Sequence, residues 1–431
     1  MDASLTTRPP TPWFGHPRGL VVLFLTEMWE KFSFYGMKAL LIYYMIRHLQ
    51  FSQADASLVY GAYTGGVYLT PIFGGVLADR WLGRRRAIQI GGSLMALGHF
   101  VLASEALFFP ALLLIALGNG LFLPNLPSQV GDLYDAQDPR RGGSYNIYYV
   151  GVNLGALLAP LVCGTLGELY GWHVGFGAAG LGMCLGLAIY QLGARHLPPD
   201  RPRARADATD SAAGRAPVSL RLVLPLLLVG LAVVVFRSGY EHSGNTLAVW
   251  AEAHVDRGLG GFNVPVTWMQ SLNPLFVFLF TPFVVAGWRR AAARGREPSP
   301  LAKMSMGAAG VALSYLMLAA LAFTQGDGRV SMGWVLAFFV VYTLAELYIL
   351  PVGLGLFARV APPGLGATVI AAWFLASFGG NLLSGVVGRQ LSVLGPAGFF
   401  VLLGALTGAA SLALLSLRPL LRRALAPASQ A

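Results

Sequence analysis

The chain has 431 residues, 55% of them hydrophobic and only 11% charged, with a mean hydropathy of +0.62. Soluble domains carry about 25% charged residues, so this composition excludes an ordinary soluble globular protein. The formal net charge of +11 would suit a nucleic-acid partner only if it gathered on one soluble face.

Taken in order, residues 1–19 are polar and rich in proline, with no apolar core of a signal peptide. The first apolar run, 20–46, is too long and too charged to be one, and is expected to stay in the mature protein. Further runs of roughly 20 residues or more, the length that crosses a bilayer, follow at 54–78, 87–108, 110–134, 145–168 and 172–194. The stretch "RHLPPDRPRARADATDSAAGRAPVS" (195–219) then breaks the pattern. Its Pro, Arg, Ala and Asp content reads as a flexible linker. Runs at 219–250, 264–287, 300–323, 331–357, 365–388 and 395–417 complete the chain. The expected architecture is an all-α integral membrane protein of twelve transmembrane helices. They divide into an N-terminal six-helix bundle (1–195), a cytoplasmic linker (196–218) and a C-terminal six-helix bundle (219–431).

The basic residues fix the expected orientation. With the N-terminus inside, the inside loops collect Arg80, Arg84, Arg85 and Arg86, Arg140 and Arg141, the linker arginines, and Arg289, Arg290, Arg294 and Arg296. Only Arg47, Arg257, Arg329 and Arg389 fall outside. That asymmetry obeys the positive-inside rule and puts both termini in the cytoplasm. Topology therefore accounts for the positive charge, and no nucleic-acid partner is needed. Cys163 and Cys184 both lie in apolar runs and give neither a disulfide framework nor metal-ligand spacing. There is no GxxxxGK[ST] loop and no HExxH, so an ATP-driven pump or a membrane metalloprotease has no support. The expectation is no enzyme, no catalytic residue, no metal and no cofactor.

Ionisable groups inside spans are costly and tend to be functional. The acidic ones are Glu27, Glu30, Glu241 and Glu346. On a helix, positions 27, 30, 31, 34, 35 and 38 form one stripe. Glu27, Glu30, Lys31, Phe34, Tyr35 and Lys38 are thus expected to line one wall, with Glu27 and Lys31 as an i,i+4 pair. Two acids and two lysines at mid-depth point to a proton or substrate pathway, the plainer alternative being a self-neutralising structural pair.

Two six-span halves with a site at the midplane describe a major facilitator transporter. "GGVLADRWLGRRRA" (74–87) resembles that superfamily's loop between its second and third helices. "EMWEKFSFYG" (27–36) resembles the E-x-x-E-R-F-x-Y-Y-G motif of the proton-dependent oligopeptide transporters, with Lys31 for Arg and Phe34 for the first Tyr. Further segments agree in order: "VYLTPIFGG" (67–75), "IYYVGVNLGALLAP" (147–160), "YEHSGNTLAVW" (240–250), "MQSLNPLF" (269–276), "AELYILPVGL" (345–354) and "WFLASFGGN" (373–381). The resemblance implies uptake of di- and tripeptides coupled to protons by alternating access. It assigns Glu27, Glu30, Lys31 and Glu241 to the proton. It assigns Tyr35, Lys38, Tyr68, Tyr149, Asn153, Asn273, Glu346 and Trp373 to the peptide. The residue chemistry agrees: a peptide zwitterion needs fixed anions at one end of its site, fixed cations at the other, amides for its backbone and aromatic walls for its side chains. The implied partners are a small peptide, protons and the lipid bilayer, for a monomer in the plasma (inner) membrane.

The sequence also departs from the family pattern. In "GLFLPNLPSQVGDLYD" (120–135) Leu123 stands where a lysine is expected before Pro-Asn. Position 237, usually Trp, is Arg237, one turn before Glu241, and is taken as a replacement cavity cation in the peptide site. Gly61 stands near the place where animal members carry a histidine. The linker is too short for the two extra helices of many bacterial relatives. The missing lysine leaves two alternatives open: a carrier of another small zwitterion or anion, or an uncoupled facilitator. A transport-like receptor is a further possibility, with no soluble signalling domain to support it.

Overall fold

A long apolar segment has no water to satisfy its backbone, so only a helix closes every N–H and C=O within it. The computed structural model describes residues 15–135, 137–199, 220–326, 328–360 and 366–425. They are almost entirely helical. The first helix, α1 (Arg18–Tyr43), runs on through a wide π turn, Tyr44–His48. Next come α2 (Gln53–Leu77, extended by Ala78–Leu82), α3 (Arg84–Val101) and α4 (Phe108–Phe122, continued by Asn125–Asp132). The group ends with α5 (Arg140–Ala159, continued to Tyr170) and α6 (Trp172–Gly193). After the linker, of which 200–218 lies outside the described residues, come α7 (Leu220–Tyr240) and its continuation Thr246–His254. The remainder are α8 (Leu272–Ala293, entered through a tight turn Val266–Ser271), α9 (Pro300–Gln325), α10 (Met332–Val360), α11 (Gly366–Gly388), α12 (Leu391–Ser416) and the short α13 (Arg418–Leu425). Two small strand pairs, Val255–Asp256 with Val330–Ser331 and Gly258–Leu259 with Phe262–Asn263, tie loops together.

Among the described residues nine helices, α4 to α12, are long and apolar enough to cross a membrane by length and composition. The three before them are the polar ones: α1 holds the charged stripe, α2 is rich in Tyr, Thr and Gly, and α3 opens on three arginines. Several expected runs are broken where the backbone demands it. The 110–134 run bends at Leu123–Pro124, since proline removes an N–H. The 395–417 run starts at a kink where Gly395 takes φ 66°, the left-handed region that glycine enters freely. The 219–250 run stops at Tyr240 and resumes at Thr246. The carbonyl freed at Tyr240 accepts from the Tyr342 hydroxyl at 2.7 Å and the Tyr315 hydroxyl at 3.3 Å.

Glycines bring certain helices into backbone contact, the usual route to tight packing in a membrane. A β-carbon on Gly74 would lie 2.0 Å from the Gly120 carbonyl oxygen, and one on Gly61 would lie 2.5 Å from the Gly385 Cα. Gly61 is therefore the seam between α2 and α11, and no larger side chain fits there without parting them. Gly61→Ala is expected to cost about 1–3 kcal/mol through overpacking, to be read as a lower Tm in detergent.

Helices α1–α6 meet α7–α12 mainly at one end. There Arg47 pairs with Glu252 at 2.6 Å, and the Tyr43 hydroxyl donates to the Ala248 carbonyl at 3.2 Å. Ser57 donates to Asn245 at 2.8 Å, and Gln53 donates to the Gly388 carbonyl at 3.0 Å. The described polar links between the two groups of helices all lie at this end or at mid-depth. At the opposite, arginine-rich end the first group of helices is tied within itself. Arg84 pairs with Asp132, and Arg85 donates to the carbonyls of Ala194, Leu197 and Pro198, each at 2.9 Å. The molecule is thus sealed at the end that carries Arg47 and Glu252.

Candidate functional site

The stripe on α1 forms as its spacing predicts, and the i,i+4 pair of Glu27 with Lys31 is joined by a second acid. Lys31 Nζ lies 2.7 Å from Glu30 Oε2 and 3.4 Å from Glu27 Oε1, so the neighbouring acid is the closer partner. Glu30 is 0% exposed. Its other oxygen accepts from Asn119 Nδ2 on α4 at 3.3 Å. Asn119 was not among the expected site residues, although a lone amide in the apolar run "LLLIALGNGLF" is the kind of polar side chain that binds helices to one another. It lies one turn before Leu123, so this part of α4 faces Glu30 with an amide and carries no cation.

A second charged group lies between the two groups of helices. Arg237 on α7, 5% exposed, pairs closely with Glu241 and holds its guanidinium 5.3 Å from the centre of the Tyr68 ring on α2. Lys38, further along the α1 stripe, sits 5.8 Å from the ring centres of both Tyr35 and Tyr60. Cations over aromatic faces gain from the ring quadrupole. Glu241 and Arg237 both lie close enough to Lys38 to act on it electrostatically. The arrangement has one anion between two cations, enclosed by tyrosines.

The third group is on the wall built by α8 and α10. Asn273 Nδ2 donates to Glu346 Oε2 at 2.5 Å and lies 3.2 Å from Thr343 Oγ1. Tyr240 and Tyr342 stack at 4.8 Å beside them, and the Tyr240 hydroxyl reaches Glu346. Facing this wall is Tyr149 on α5, 54% exposed and near enough to feel the Glu346 charge.

Two residues sit differently from the rest. Asn153 turns its amide back onto its own helix, donating to the Tyr149 carbonyl at 3.0 Å. Trp373 on α11 is 5% exposed and packs edge-on against Phe357 at 5.3 Å, lying over Gly353 of α10. The two intramembrane histidines are engaged in packing. His99 bonds the Met95 carbonyl and Ser33, and His242 bonds the Ser238 carbonyl and Thr246. Among the described residues no cluster of His, Cys, Asp and Glu has the makings of a metal site.

The site thus has three parts: the buried Glu27–Glu30–Lys31 cluster, the Arg237–Glu241 pair with Lys38 and its tyrosines, and Glu346 held by Asn273. The family model described as PTR2, the POT family, matches residues 85–219 and 214–396. A di-/tripeptide transporter of Lactococcus lactis subsp. cremoris is 33% identical over 84% of this chain and 87% of its own.

The chain belongs to the POT family.

An uncharacterized transporter of Bacillus subtilis (strain 168), YclF, is 32% identical over 98% of both chains. A crystal structure of the peptide transporter POT in complex with sulfate superposes with a TM-score of 0.88 at 30% identity, over 96% of this chain and 97% of that one. The fold is accordingly the major facilitator one. Membership explains the conjunction of the E-x-x-E stripe with Glu241, Asn273 and Glu346.

Proposed function

We propose that this POT-family chain imports di- and tripeptides with protons across the cell (inner) membrane, as a monomer with both termini in the cytoplasm. The terminal segments themselves, 1–14 and 426–431, lie outside the described residues. The observation that carries the proposal is the arrangement of charge across the site. Lys38 stands on α1 and Glu346, held by Asn273, on α10, so the two groups of helices offer an ammonium and a carboxylate for the ends of a peptide zwitterion. Tyr35, Tyr68 and Tyr149 offer aromatic surface, Asn153 the free oxygen of its amide, and Trp373 a packed boundary behind the wall.

In this reading Glu27, Glu30 and Lys31 handle the proton. A buried carboxylate that takes a proton loses its attraction for the ammonium beside it, and that frees α1 to shift against α4 and α5. Glu241, between Arg237 and Lys38, links the same event to the C-terminal helices. We take the halves 1–195 and 219–431 as the two rocking units, with the arginine-rich end toward the cytoplasm. Peptide and proton couple because each binds the outward- and inward-facing states unequally. The test is uptake into proteoliposomes: labelled dialanine and trialanine are expected to accumulate under an inward proton gradient. No accumulation of either would refute the proposal.

A further inference from the structure

The sealed end of the molecule contains a carboxylate that the transport site does not use. Glu168 lies near the end of the α5 continuation, and it crosses to the turn that starts α8. Its Oε1 accepts from the Thr267 backbone N–H at 2.9 Å and the Thr267 hydroxyl at 2.6 Å. Its Oε2 accepts from the Val266 N–H at 3.1 Å. Arg257 lies 3.9 Å from the same Oε2 and also donates to the Val264 carbonyl at 3.0 Å. The first N–H groups of any helix lack intrahelical partners, and a negative charge at that end is favoured by the helix dipole. Here the partner comes from the other group of helices.

The contact belongs to a seam. Trp268 Nε1 donates to Thr165 Oγ1 at 2.7 Å, and Ser271 Oγ donates to the Leu157 carbonyl at 2.8 Å. Every donor in this series is on the turn before α8 and every acceptor is on α5. Gly164 allows the approach, since a β-carbon there would lie 2.2 Å from Thr267 Oγ1. Asn273, which holds Glu346, follows within two turns of Thr267.

We infer that Glu168 is a positioning residue of the transport cycle. It latches the start of α8 to α5 while the molecule is sealed at this end, and it must let go for that end to open. The inference rests on the alternating-access reading above and adds to it a specific closing contact. Glu168→Gln keeps the size but replaces an acceptor oxygen with an amide NH2 that faces donors. Gly164→Ala keeps the carboxylate but wedges the seam. Both remove the latch by unrelated means.

The experiment uses the full chain with Cys184 replaced by Ser, and spin labels on cysteines introduced at the exposed positions Tyr170 and Leu259. Distances are measured by double electron–electron resonance without peptide. The unaltered latch should give one short distance. Each latch variant should raise the ratio of long to short distances roughly tenfold, as expected for losing hydrogen bonds to a charged acceptor. In uptake, the variants should show lower kcat together with lower external KM, because more molecules await peptide with the outer mouth open; a mere folding defect would leave KM unmoved. A distance distribution in Glu168→Gln identical to that of the parent overturns the inference. Since the distances need no substrate, a failure of peptide uptake alone would count against the transport reading and leave the latch standing.

Discussion

Glu30→Gln is expected to lower proton-driven peptide accumulation at least roughly tenfold, within the usual range of coupling between two ligands, while leaving peptide exchange without a gradient in place. The carboxylate is fully buried and shares Lys31 with Glu27. A glutamine there cannot take up or release a proton, but its oxygen can still accept from Asn119. Coupling is then lost without loss of the peptide site. The companion change, Lys31→Ala, should do something different. It would leave two carboxylates buried with no cation, which costs about 3–5 kcal/mol when a buried pair is broken from one side. Thermal shift separates the two: a nearly unchanged Tm for Glu30→Gln and a large fall for Lys31→Ala. Wild-type accumulation by Glu30→Gln would remove this acid from the proton pathway.

Arg237→Ala is the second large effect. Arg237 is the ion-pair partner of Glu241, and it covers Tyr68 on α2. Its removal leaves Glu241 facing only Lys38 and opens the aromatic wall. Peptide uptake is expected to fall at least roughly tenfold, the penalty for one unpaired buried charge being at least about 3 kcal/mol. The family pattern suggests the compensating change. Leu123→Lys restores the expected cation one turn from Asn119. The pair Leu123→Lys with Arg237→Trp should therefore recover uptake that Arg237→Trp alone loses. Unchanged transport in every one of these variants would show that Arg237 is a structural ion pair and nothing more.

These two predictions divide between what was legible in the sequence and what was not. The helices were legible because a bilayer span is set by length and apolarity, both of which are one-dimensional properties. The run boundaries failed where the backbone turns, as at Pro124, after Tyr240 and at 102–107, where α3 ends inside the expected 87–108 run. The α1 stripe was legible because helical spacing alone brings Glu27, Glu30, Lys31 and Lys38 to one side. The i,i+4 rule named Glu27 as a partner of Lys31, and that pair forms; Glu30, which the rule does not name, is the nearer second partner.

The sequence by itself determined that this chain is built of apolar, membrane-length helices and that the segments around its buried charges resemble the motifs of the POT family. Only the tertiary structure decided which charges meet. Arg237 over Tyr68, Asn119 on Glu30, Asn273 on Glu346 and Glu168 on the start of α8 each join helices distant along the chain. Periodicity places a residue on a face of its own helix, but it carries no information about the helix opposite. That is set by how glycine seams such as Gly61 against Gly385 let the helices approach. For the same physical reason Trp373, an expected wall of the peptide site, lies packed over Gly353, where a missing side chain left room for its ring.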